Sequence, residues 1–446
     1  MERAGKRNKF LIKGGRVIDP STGFDDRADV LIVGERIKKV GKSITPEGQE
    51  TIIEAKDKIV MPGIVDTNVH ISEPTRYDRE TIGSVIRSAV SGGVSAFACK
   101  SNQDVIIDHQ AIVAYLLRSA IEKGLAKLLP VCAMTTKLKG ENIAEIGQMS
   151  EMGARACSDN THSIMDSNLQ RRILEYAYAY GLTPILYPED RYLASGGVIN
   201  EGYFSMLTGL PAIPSIAEEI MVNRDLILAE MTGVPIHIAP ITTEGSVKLI
   251  REAKDAGIMV TCETCPHYFL LTDALCKDFN PLYKVKPPLR SERDKSAIMR
   301  AVIDGTIDVI SSDHNPLTYS DKDTEFLVAE FGISGIETLF SLSYTYLVDR
   351  GSLNMVELLR RLSYTPSKIL KHSGGRIATD AIADIAIVDI RDEYEINPVD
   401  FRSRGRNTPF GGYKVKGRVE ILFIDGSIVY KDGKITPKTV SERLRE

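Results

Sequence analysis

The sequence predicts an α/β protein: a (β/α)₈ TIM barrel with a small composite β-sandwich domain formed by both termini. From Gly63 onward, apolar strand-like runs alternate with amphipathic stretches in eight repeats. These repeats cover roughly 300 residues, the size of such a barrel. The two chain ends have another texture, with short alternating runs punctuated by Gly and Asp. A doubly wound open sheet competes with this reading, but it usually carries a Gly-rich phosphate turn after its first strand, and none follows here.

In chain order, the expected barrel strands are 63–70, 94–100, 127–135, 155–159, 183–187, 235–241, 258–264 and 308–313. Between them, 105–123 and 244–256 place apolar residues at helical spacing. The segments KFLIKGGRVIDPSTG and ADVLIVGERIKKVGK near the start resemble in texture IADIAIVDI and GRVEILFIDGSIVYKDGK near the end. Chain ends commonly lie close together. Residues 1–62 and 376–446 are therefore expected to form one β domain, and 63–375 the barrel. No low-complexity tract or further repeat is present.

Composition narrows the function classes. The chain has 446 residues, 43% hydrophobic and 26% charged, with a formal net charge of −4. These values are ordinary for a globular protein and give no electrostatic case for nucleic acid or membrane as partner. No apolar run reaches the length of a membrane span, and the basic start MERAGKRNK lacks a signal-peptide core. The six cysteines sit mostly in apolar runs, which suits reduced thiols and a cytoplasmic location. Cys262 and Cys265 have redox or metal-pair spacing but lie in a strand, where free cysteine is usually buried.

The chemistry-bearing motif is MPGIVDTNVHISEP at 61–74. Alternate side chains on a strand share a face, so Asn68 and His70 point together. Two histidines there would make half of a metal site. A neutral amide oxygen is a far weaker transition-metal ligand than an imidazole nitrogen.

This motif, a late DHNP at 313–316 and the split β domain resemble the cyclic amidohydrolases, most nearly the first class of dihydroorotases. The likeness includes Lys100 to Asn102, Thr261 to His267, Pro287 to Arg290, Asp304 to His314, Gly332 to Glu337 and Asn407 to Phe410. It implies two zinc ions sharing a hydroxide at the C-terminal mouth of the barrel, with metal binding lowering the hydroxide's pKa toward neutrality. It also implies that the aspartate of the last strand, here Asp313, binds zinc and shuttles a proton. The remaining ligands would be a His-x-His on the first strand, a bridging acid after the fourth, and histidines after the fifth and sixth.

Position by position, this chain departs from that pattern. Asn68 replaces the first histidine, while His70 remains. The acidic pair becomes Ser158-Asp159-Asn160, and no lysine lies between 141 and 181. Tyr187 and Pro240 stand where the later histidines belong, and proline has no side-chain donor. The residual metal candidates are His70, Asp159 and Asp313, enough for at most one zinc with an open site. No other cofactor is expected.

Substrate contacts have changed as well. Ser72 replaces an arginine that clamps a carboxylate, Lys286 an asparagine and Leu317 a histidine; Asn102 remains. Asn102, Lys286 and Arg290 are the substrate-binding candidates, and Lys286 or Arg290 is expected to compensate Asp159 and Asp313 if no metal does. Simpler roles stand beside these. His70 also reads as a hydrogen-bonded strand-end residue, His162 as a loop residue and His237 as a satisfied core histidine. Tyr187 reads as a packed aromatic with a polar partner. Two functions follow from the resemblance ahead of an ordinary dihydroorotase, which would need a binuclear site assembled from residues that cannot ligate zinc. One is a dihydroorotase-like protein of pyrimidine synthesis with little or no catalysis, acting through self-association or aspartate transcarbamoylase. The other is a cyclic-amide hydrolase with at most one metal.

Overall fold

A computed structural model describes residues 8–436. The barrel strands are β1 (Ile64–Val69), β2 (Val94–Lys100), β3 (Lys127–Cys132), β4 (Ala156–Cys157), β5 (Thr183–Leu186), β6 (Ile236–Ile238), β7 (Val260–Thr264) and β8 (Val309–Ile310). Each pairs in parallel with the next. All eight fall where the apolar alternation places them. β1 and β2 are buried on both faces, as expected for parallel strands covered by helices outside and packed side chains inside. The barrel closes between β1 and the residues after β8. The His70 N–H donates to the His314 carbonyl at 2.8 Å, and the His314 N–H to the Asn68 carbonyl at 3.0 Å.

The barrel interior is layered. Its lower part is filled by small and branched apolar residues, among them Val65, Ala98, Val131 and Ile185, with Leu370 packed against them. The polar side chains lie above, toward the strand C-termini. One helix departs from expectation: it spans Gln110–Lys123, not 105–123. Residues 102–107 are claimed by side-chain-to-backbone bonds that compete with a helix. Asn102 Oδ1 accepts the Asp104 and Val105 N–H groups, and Ser101 Oγ accepts that of Ile107. His109 then caps the helix by accepting the Ala111 N–H. The helix Glu244–Asp255 starts as expected, at a Thr243 cap.

Both chain ends build one nine-stranded mixed sheet. Ile59–Pro62 from the first end runs antiparallel to Ile385–Asp389 from the second, which joins the two halves. The sheet has its own apolar core, including Ile12, Val30, Ile32, Ile385 and Phe423. Residues 1–7 and 437–446 of the expected β domain lie outside the described residues. Among the described residues, no helix is long and apolar enough to cross a membrane.

Candidate functional site at the barrel mouth

A cavity of about 400 Å³ opens at the C-terminal mouth of the barrel, bordered by Asn68, His70, Asn160, Tyr187, Pro240 and Asp313. Of the candidate ligands and substrate contacts, His70, Asn102, Lys286 and Asp313 therefore converge on one place, while Asp159 and Arg290 do not border it. Two of the side chains arrive on left-handed backbone: φ is +50° at both Asn160 and Asp313. Asn and Asp tolerate this region better than most residues, so each strand-end turn is locally compatible with its sequence.

Asn68 faces Asp313 across the barrel seam, with Nδ2 donating to Oδ1 at 3.1 Å. Among the described residues, the buried Oδ1 of Asn68 has no hydrogen-bond partner. His70 is 6% exposed, and its Nε2 lies 3.4 Å from Asn160 Nδ2. Burial lowers the His70 pKa to about 4, against the opposing pull of Asp313. On the fifth strand's side, the Tyr187 hydroxyl donates to Glu189 Oε2 at 3.3 Å. Glu189 Oε1 pairs with Lys286 Nζ at 2.9 Å. Tyr187 is thus a packed aromatic with a polar partner, as its chemistry suggests.

Asp159 is not at the mouth. Its Oδ1 accepts the N–H groups of Met134 and Thr135 at 2.7 and 2.9 Å, and its Oδ2 accepts the Thr135 hydroxyl. Both oxygens are spent organising the turn after β3, and the side chain facing the cavity is its neutral neighbour Asn160. The two residues lie in the turn after the strand, where the left-handed backbone at Asn160 sets which side chain faces the cavity. Arg290 is also displaced from its expected role. It is 4% exposed, pairs with Glu218 at 3.4 Å, and donates to Thr242 Oγ1 and Asn200 Oδ1 at 3.0 Å each. Neither Arg290 nor Lys286 compensates Asp159 or Asp313: Lys286 borders the cavity but is held by Glu189. Asn102 also borders it, although its carboxamide serves the loop, with Nδ2 donating to the Ile71 carbonyl at 2.9 Å.

Three features escaped the sequence reading. His267 Nε2 lies 3.5 Å from Asp313 Oδ2. Cys265, His267 and Asp313 offer three ligand atoms within 4.8 Å of one another, a grouping able to hold a metal ion. The signal was the CPH sequence at 265–267, where two residues able to ligate a metal, Cys265 and His267, follow a strand directly. The third feature is a buried charge cluster beneath the mouth. Lys100 is 1% exposed and 3.6 Å from Glu263 Oε1. Glu263 Oε2 also meets His237 Nε2 at 3.1 Å and accepts the Thr67 hydroxyl. Burial would raise the Glu263 pKa, yet Lys100, His237 and Thr67 hold it down to about 2. His237 is accordingly a satisfied core histidine, its Nδ1 lying 2.9 Å from Thr261 Oγ1. His162 sits on the cavity's loop rim, and all six cysteines are free and buried.

Comparison with known proteins places this arrangement. Residues 57–246 match the dihydro-orotase-like family model, and residues 202–429 match the amidohydrolase family model. The dihydroorotase of Acetivibrio thermocellus is 44% identical over 423 residues, covering 95% of this chain and 99% of the relative. That of Syntrophus aciditrophicus is 41% identical over 425 residues, covering 95% and 100%. Among solved structures, L-hydantoinase (dihydropyrimidinase) from Arthrobacter aurescens superposes with a TM-score of 0.85 at 21% identity, covering 96% of this chain and 97% of that one. Dihydropyrimidinase from Brevibacillus agri gives 0.81 at 20% identity, covering 96% of each chain. At these identities the structural likeness establishes the fold. With nearly end-to-end relatives above 40% identity and both halves matched by family models, the chain belongs to the dihydroorotase family of the amidohydrolases.

Proposed function

We propose that this chain has lost the two-zinc chemistry of its family and is a non-catalytic or strongly attenuated dihydroorotase-like protein acting through association. The observation that carries this reading is the donor set at the mouth. Asn68, Tyr187 and Pro240 border a single cavity at the positions where the family resemblance implies three histidines, and from the segment of the acidic pair it is Asn160 that borders it. A carboxamide oxygen, a protonated phenol and a proline ring are weak or absent ligands for zinc. Burial and neighbouring carboxylates push the Tyr187 hydroxyl well above its ordinary pKa, so it stays protonated. Two zinc ions do not fit these residues. The partner in this reading is a second copy or aspartate transcarbamoylase, the latter by family precedent alone.

Metal analysis of purified protein beside a dihydroorotate hydrolysis assay tests the reading. Less than one zinc per chain and no turnover are expected. Two tightly held zinc ions with turnover would overturn it. Co-purification with aspartate transcarbamoylase tests the choice of partner.

A second reading draws on the Cys265, His267 and Asp313 grouping, with His70 nearby: a cyclic-amide hydrolase working with one metal. It predicts about one metal per chain, and loss of both metal and activity in Asp313→Asn. A metal-free wild type would dispose of it.

A further inference from the structure

We propose that the mouth is one half of a ligand site, and that a second chamber beside it binds the phosphate of a nucleoside monophosphate whose base enters the mouth. The inference goes beyond the association reading. It rests on cations and carboxamides, not on whether a metal binds.

The second chamber, of about 490 Å³, adjoins the mouth cavity along Thr161, His162, Lys286, Glu330 and Phe331, which line both. Its charge is one-sided. Two carboxylates line it and each is already matched, Glu189 by Lys286 at 2.9 Å and Glu330 by Arg79 at 3.4 Å. Three further cations, Lys139, Arg191 and Lys284, line it and have no carboxylate at salt-bridge distance among the described residues. Arg191 leans on its neighbour, with Nη2 2.8 Å from the Tyr192 hydroxyl. Lys284 Nζ donates to the Leu327 carbonyl at 2.9 Å and lies 4.7 Å from the centre of the Phe331 ring. The positive field reaches the boundary between the chambers, where burial lowers the His162 pKa and Lys286 and Arg191 lower it further. A cleft lined by one sign of charge concentrates the other.

The turn at Ser195 and Gly196 adds neutral donors to the same chamber. The Ser195 hydroxyl and the Gly196 N–H have no hydrogen-bond partner among the described residues. A phosphate monoester brings nearly two negative charges and three acceptor oxygens, enough to engage several of these groups at once. A single carboxylate leaves most of them unmatched.

The mouth suits a different group. Tyr187, Pro240, Leu317 and Phe331 give it apolar walls, and the carboxamides of Gln103 and Asn160 border it. These two are loosely engaged, with Gln103 Nε2 3.5 Å from His162 Nε2 and Asn160 Nδ2 3.4 Å from His70 Nε2. A carboxamide both donates and accepts. The combination fits a flat, neutral ring whose faces pack on aromatic and apolar side chains while its edge forms hydrogen bonds. A nucleobase is such a ring, and its ribose carries the phosphate across the boundary.

Isothermal titration calorimetry of the purified full chain tests the inference, with uridine and adenosine 5′-monophosphates, uridine, adenosine and ribose 5-phosphate as probes. At least one nucleotide is expected to bind once per chain with micromolar affinity. Its nucleoside and ribose 5-phosphate are each expected to bind about tenfold or more weakly, since each lacks one half of the ligand. Lys139→Ala with Arg191→Ala should weaken the nucleotide and ribose 5-phosphate alike, by about 30-fold or more. Asn160→Gly keeps the left-handed turn and removes the carboxamide, so it should weaken the nucleotide and leave ribose 5-phosphate unchanged. The probe comparison uses wild type alone and decides the matter even if a variant misfolds. Nucleotide affinity no better than millimolar, a nucleoside or ribose 5-phosphate that binds as tightly as the nucleotide, or a folded double variant with unchanged affinity overturns the inference.

Discussion

Asn68 and Asp313 form a closed hydrogen-bonded pair across the seam of the barrel, Nδ2 to Oδ1 3.1 Å. In the family pattern both positions are metal ligands. Here the carboxamide occupies one oxygen of the aspartate, and His267 approaches the other at 3.5 Å. One oxygen of the aspartate is thus hydrogen-bonded by the carboxamide, while among the described residues His267 Nε2 has no hydrogen-bond partner.

That pairing sets an expectation for reversal. Asn68→His alone should leave zinc content unchanged, because Asn160, Tyr187 and Pro240 still provide no strong ligand. Combining it with Asn160→Asp, Tyr187→His and Pro240→His should raise bound zinc toward two per chain after dialysis, measured by elemental analysis. Recovery of two zinc ions by the single substitution would show that one residue had controlled the site.

Arg290 and Lys286 should separate cleanly in a stability assay. The Arg290–Glu218 pair is buried, with side chains 3% and 1% exposed. Arg290→Met would strand the carboxylate, at a cost of about 3–5 kcal/mol. Lys286 is 29% exposed in its pair with Glu189, so Lys286→Met should cost about 1 kcal/mol or less. Urea midpoints of the two variants measure the difference, and equal midpoints would contradict the assignment of Arg290 to the framework.

The contrast also shows what the sequence could reveal. Eight strands and two β-rich ends were legible because burial imposes hydrophobic patterns that survive in one dimension. Convergence of positions 68, 187, 240 and 313 was legible because strand ends of a barrel share one mouth. The choice between Asp159 and Asn160 was not, since it depends on the left-handed turn that follows a two-residue strand. The direction of Arg290 was equally hidden, because its partner Glu218 lies 72 residues away in the chain. Lys100 was passed over as part of a matched block, although a lysine ending an otherwise apolar strand is itself a signal that a buried counter-charge exists.

Lys100 and Glu263 should behave as a coupled pair. Lys100→Met leaves Glu263 buried opposite only His237 and Thr67, a loss of about 3–5 kcal/mol by the cost of an uncompensated interior charge. Glu263→Gln should be similarly harmful, because it strands the ammonium. The double variant should recover much of the loss, giving a coupling energy above about 1 kcal/mol in a double-mutant cycle. Additive losses would mean that the 3.6 Å approach contributes nothing.

The acid side of the stability profile should depend on His70. Burial lowers its pKa from 6.5 to about 4, so between these values the unfolded chain binds the proton that the folded chain refuses. Stability from this group is fully present above pH 6.5 and is lost as pH falls toward 4, by up to about 3 kcal/mol. Asp66 and Asp159 act in the opposite sense. Burial raises each from 3.8 to about 6, so the folded chain holds their protons more readily and gains stability as pH falls through that window. The wild-type profile is therefore a partial cancellation, and only a difference between variants isolates the histidine. His70→Gln should gain stability relative to wild type as pH drops from 7 to 4.5, read from urea unfolding at the two values. Parallel profiles would mean that the imidazole is protonated freely within the fold, which its burial beneath the mouth opposes.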